Sequence, residues 1–163
     1  MPSSPFDYQV YAAILAACAV PNGSAPYHYD LTGKVAEGLP PASAPPFEVL
    51  PCVAVGYGGV EMEDGPDLPG TSDRMEFHLQ AWAPAATQDA SGRIQAAARL
   101  ASDLRQALRA ARASGSSSAL YHVHNLRFRA LPVDAEQMGV ALGCGFLVGT
   151  ITCEIPVSYG ETE

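Results

Sequence analysis

Two spacings of apolar residues run through the chain, one of three to four residues and one of two, and they lay out its elements. Val10, Ala13, Ile14 and Ala17 fall on one helical face and predict a first helix over about residues 7–19. Ser3, Ser4 or Pro5 can start it, Pro21-Asn22-Gly23 ends it, and Tyr8 and Tyr11 border its stripe. Met75, Phe77, Leu79 and Ala81 alternate with Glu76, His78, Gln80 and Trp82, the pattern of a half-buried antiparallel strand that Pro84 stops. Asp89 or Ser91 caps a second helix running to about residue 113. Its predicted stripe is Ile94, Ala97, Ala98, Ala101, Leu104, Leu108 and Ala111, whose alanines permit close packing on a sheet. After the breaker Gly115-Ser116-Ser117-Ser118, a further strand is predicted over about residues 120–131. Leu126, Phe128 and Ala130 face one way there, and Arg127 and Arg129 the other. A polar connection over residues 134–139 leads to a last strand or strand pair over residues 141–157. Gly143, Gly145 and Gly149 share its Leu147, Ile151 and Cys153 face, and glycines so placed mark close approach by another backbone or a bulge.

Two stretches resist both periods. Residues 20–51 hold seven of the 14 prolines, so an irregular arm is expected over about residues 20–46, followed by the apolar run Phe47, Val49, Leu50, Val53 and Val55 as a strand interrupted by Pro51. Residues 56–73 contain five glycines, two prolines, five acids and no base, and read as a flexible acidic loop between two strands. The expected class is therefore α+β, order α-β-β-α-β-β: a single antiparallel sheet of about four strands with both helices packed on one face, in one domain spanning residues 1–163. The tail from residue 159 is expected to be loose.

Charge narrows the function classes. The formal net charge is −8, with one lysine, Lys34. Residues 1–92 carry 11 acids and 2 bases, residues 93–129 one acid and 7 bases, and residues 130–163 five acids and no base. Such a balance argues against gripping nucleic acid through its phosphates and against docking on anionic membranes. Its segregation suits attraction between copies, positive patch to negative patch. Arg105, Arg109 and Arg112 form a row on the second helix. Glu61, Glu63, Asp64, Asp67 and Asp73 crowd the acidic loop, so these residues are the candidate subunit or partner contacts. The uncharged stretch of residues 10–20 has the length of a signal core but no preceding base, and it is too short to span a bilayer. Synthesis in the cytoplasm is expected, with Cys18, Cys52, Cys144 and Cys153, none in CxxC spacing, reduced and buried.

Catalytic motifs are not found: GxxxxGK[ST], GxGxxG opening a helix, HExxH and GxSxG do not occur. His122-Val123-His124 would place two imidazoles on one strand face, and His78 from another strand would be a third ligand; a small metal-dependent α+β enzyme is the competing reading. A Cys–His nucleophile pair has no cysteine to single out. Trp82 at its strand end reads as packing.

Several segments together resemble the tail terminator (tail completion, minor tail) proteins of long-tailed bacteriophages. They are YAAILAA (residues 11–17), PPFEVLPCV (45–53), FHLQAWA (77–83), RIQAAARLASDLRQAL (93–108), NLRFRAL (125–131) and GTITCEIPV (149–157). The arm is longer, and the last strand richer in glycine, than that pattern. The resemblance implies a structural virion protein, not an enzyme, without cofactor. Such a protein is made in the host cytoplasm and forms a homohexameric ring that caps the head-proximal end of the tail tube. Its partners would be its own copies, the tail tube protein and the head–tail connector or stopper protein, with DNA passing through the ring without specific binding and no membrane involved. A different neck or head-completion (stopper) role lies close to this reading.

Overall fold

The computed structural model describes residues 5–38, 50–62, 72–133 and 143–157. Among these the chain forms helix α1 (Phe6–Cys18), strands β1 (Val35–Glu37), β2 (Cys52–Met62) and β3 (Ser72–Pro84), helix α2 (Ala90–Ala113), a 3-10 helix (Ala119–His122), and strands β4 (Asn125–Val133) and β5 (Cys144–Pro156). The fold is α+β, as the periodicities predict. The sheet has five strands in the order β1-β2-β3-β5-β4, and it is mixed: β1 runs parallel to β2 and the other pairs are antiparallel.

Both helices lie on one face. Val10 and Ile14 of α1 and Leu100 and Leu104 of α2 close over Val53, Val55, Phe77, Leu79, Leu147 and Ile151 in one buried cluster. α2 starts where the sequence places it, because the Asp89 carboxylate accepts from the Gly92 amide at 2.7 Å and satisfies an orphan donor of the first turn. Its buried stripe, however, is Ala96, Ala97, Leu100, Leu104, Ala107 and Leu108, while Ile94 and Ala98 face outward. Alanine packs on either side of the stripe with little preference, and the leucines at i, i+4, i+8 decide the face. Gly145 lets α2 approach: a Cβ there would lie 2.6 Å from the Ala97 nitrogen and from the Arg93 oxygen.

Three expectations are corrected. The proline-rich arm is not irregular throughout, since Val35, Ala36 and Glu37 pair with Val53, Ala54 and Val55 and make the fifth strand. The segment of residues 56–73 is not wholly a loop: β2 continues to Met62 and β3 begins at Ser72, leaving residues 63–71 outside the described residues. The glycines there serve a β-bulge between Tyr57 and Gly59. A Cβ on Gly58 would sit 2.8 Å from His78 Nε2, and Gly59 adopts φ +122. Finally, residues 119–122 form the 3-10 helix rather than a strand, with the Ser118 hydroxyl accepting from the Leu120 amide at 3.3 Å. The arm beyond residue 38, the polar connection of residues 134–139 and the tail from residue 159 lie outside the described residues.

Candidate assembly surface

Cross-strand partners project on the same face of a sheet, so the register fixes what the helix-free face displays. Its rows are Cys52, Trp82, Phe146 and Val133; Ala54, Gln80, Val148 and Leu131; His78, Thr150 and Arg129; Glu76, Thr152 and Arg127; then Glu61, Arg74, Glu154 and Asn125. One end is apolar. Trp82 packs on Phe146 with ring centroids 5.2 Å apart, and Ala54 and Cys144 complete that small buried cluster. The other end is charged. Arg74 Nη1 lies 4.0 Å from Glu61 Oε2, and His78 Nε2 lies 3.6 Å from Glu76 Oε1, all on half-exposed or exposed side chains. Between them is a shallow depression lined by His78, Gln80, Arg129, Leu131, Val148 and Thr150, open to solvent.

The two sides of the sheet differ from each other. β1 covers β2 only along Val53, Ala54 and Val55, with Gly38 continuing to the Val55 oxygen; among the described residues no strand pairs with the outer edge of residues 56–62. That stretch exposes Tyr57, Val60 and Met62 (53%, 41% and 74%) on the helix side of the sheet. On the opposite side β4 is the edge. Leu126, Phe128 and Ala130 lie half-buried on its helix side, and Arg127 and Arg129 are exposed on the helix-free face. This alternation follows the sequence expectation.

The candidate contact residues separate into three groups. Arg105 and Arg109 are exposed on α2. Arg112 is partly buried and donates to the His124 oxygen at 3.1 Å, tying the end of α2 to the start of β4. Glu61 is exposed on β2 and Asp73 half-buried on β3, on strands rather than a loop, while Glu63, Asp64 and Asp67 lie outside the described residues. Two charged residues of α2 are buried and were not legible as such: Arg93, and Asp103 at 0% exposure. Both Asp103 carboxylate oxygens take the His28 amide (3.0 and 2.9 Å), Oδ2 also takes the Tyr29 amide (2.9 Å), and Oδ1 lies 2.8 Å from His28 Nδ1. The first part of the arm is thereby clamped onto α2, with Leu31 fully buried beside it.

The three histidines do not converge as the metal reading requires. His122 sits in the 3-10 helix against Phe6 and Tyr121, so it does not share a strand face with His124, and His78 stands on the helix-free face. Among the described residues no three His, Cys, Asp or Glu side chains group closely enough to hold a metal ion. All four cysteines are free thiols. Burial raises Cys18 and Cys153 to about 12 and Cys144 to about 11, and Cys52 is half-buried and raised less. Such thiols are poor nucleophiles. Among the described residues no helix is long and apolar enough to cross a membrane.

No protein-family model matches the sequence, and no curated protein does. Among solved structures, a chain of one described as "Virion of native gene transfer agent (GTA) particle" aligns with 94% of this chain and 92% of its own length, at 16% identity and a TM-score of 0.39. Similarity of that degree is too low to assign either a fold or a role.

Proposed function

We propose that the chain is a structural virion protein of the tail-terminator type. It forms a ring on the head-proximal end of a tail tube, ends tube polymerisation and presents a surface to the head connector. The observation that carries this reading is the correspondence between the resembling segments and the folded elements. Residues 11–17 lie in α1, 93–108 in α2, 77–83 in β3, 125–131 in β4 and most of 149–157 in β5, so the similarity falls on the elements that build the core and the sheet. Physical features support it further. The helix-free sheet face is charged at one end and apolar at the other, which suits protein contact more than catalysis. Exposed arginines on α2 and exposed Glu61 on β2 sit on different elements, so oppositely charged groups are available for contact between copies. The acidic balance suits a conduit past which DNA slides.

The test is tube assembly. Added to polymerising tail tube protein, the chain is expected to bind one tube end and shorten the length distribution. The Arg105→Glu/Arg109→Glu variant, with Arg112 left in place because it ties α2 to β4, is expected to assemble less well while keeping its fold. Tubes that elongate unchanged in its presence would contradict the terminator role.

A further inference from the structure

We infer that copies of this chain join edge to edge, with the outer edge of residues 56–62 of β2 pairing with β4 of the next copy so that the sheet runs on from subunit to subunit. The inference deepens the ring reading and rests on it for the ring's closure, but the pairing stands on its own geometry. Both edges are unpaired among the described residues. The β2 edge carries a bulge at Gly58 and the charge of Glu61, yet it still exposes Tyr57, Val60 and Met62, and an edge with that much apolar surface is an association site.

The two edges match on both faces. On the helix side, Tyr57, Val60 and Met62 of one copy meet Leu126, Phe128 and Ala130 of the next, which one copy leaves half-covered. On the helix-free side, exposed Glu61 of one copy meets exposed Arg127 and Arg129 of the next. The spans agree as well. Pro132 has no amide to donate, so the outer edge of β4 offers a donor run over residues 125–131, comparable in length to residues 56–62. Because the two edges are unlike, the contact is heterologous: it propagates in one direction and closes only as a ring.

Hydrogen exchange on the full wild-type chain, followed from dilute to concentrated protein alongside light scattering, tests this without a variant. Amides in residues 56–62 and 125–131 are expected to slow at least tenfold as the oligomer forms. Val60→Lys/Met62→Lys is expected to lower the association constant at least tenfold. Glu61→Arg and Arg127→Glu/Arg129→Glu should each weaken association, and the chain carrying all three changes should recover part of it, which a folding defect would not produce. Oligomers that form without protection at these two edges, a chain that stays monomeric at every concentration, or charge-swapped chains without recovery would overturn the pairing. Edge-protected oligomers that ignore tail tubes would leave the pairing standing and overturn the terminator reading instead.

Discussion

Replacing Asp103 with alanine tests how the arm is held. The carboxylate is fully buried and accepts from two successive backbone amides, at 2.9–3.0 Å, on a segment 74 and 75 residues away in sequence. Hydrogen bonds to a charged group contribute about 1.5–3 kcal/mol each, and a buried donor left without a partner costs about 1–3 kcal/mol. The His28 and Tyr29 amides are only partly buried and regain some water when released, so the net loss expected for Asp103→Ala is about 2–4 kcal/mol. His28→Ala removes only the imidazole contact. That side chain is 44% exposed, and screening by solvent keeps its loss below about 1 kcal/mol. Urea unfolding with unchanged m values measures both, and hydrogen exchange at the two amides locates the effect. An Asp103→Ala loss below about 0.5 kcal/mol, within the range of an ordinary surface change, or a His28→Ala loss equal to it, would refute the reasoning.

Gly145→Ala is expected to cost about 1–3 kcal/mol by overpacking, because its Cβ would meet the backbone of α2, which cannot swing aside as a side chain can; urea midpoints check this. Maleimide labelling of the native chain read by mass spectrometry is expected to reach half-buried Cys52 first, with Cys18 and Cys153 labelled only on unfolding. Asp89 is held below the usual aspartate range, chiefly by the Gly92 amide and then by the Thr87 hydroxyl, so its capping contribution is complete above the unfolded value of 3.8 and is lost as pH falls through the lower folded value. Helicity near residue 90, followed by NMR, should therefore decline at that acid limit, and Asp89→Asn should flatten the dependence.

The elements legible in the sequence are those whose signal is local. The Asp89 cap and the leucine spacing mark α2, and the alternation of β3 shows that Met75, Phe77, Leu79 and Ala81 are buried, though not that Trp82 on its other face is buried too. What the sequence hid depends on partners distant along the chain. Gly58 reads as loop until His78 is seen against it, and β1 reads as arm until Val53 lies beside Val35. His122 and His124 satisfy a strand pattern that a Ser118-capped turn replaces. The proposed contact surface is legible in the sequence only as charge. Arg127 and Arg129 were visible as an outward-facing pair, but nothing local shows that β4 ends the sheet while β5 lies inside it. Likewise Asp103 reads as one more charge on a solvated helix, although it faces the arm.

The proposal is one of place: it puts this chain between the tail tube and the head. Cryo-electron microscopy of purified particles carrying a labelled copy of the chain tests it most directly. Label in a closed ring at the head-proximal end of the tube is the predicted result, and label elsewhere on the particle, or particles that lack the chain, would contradict it.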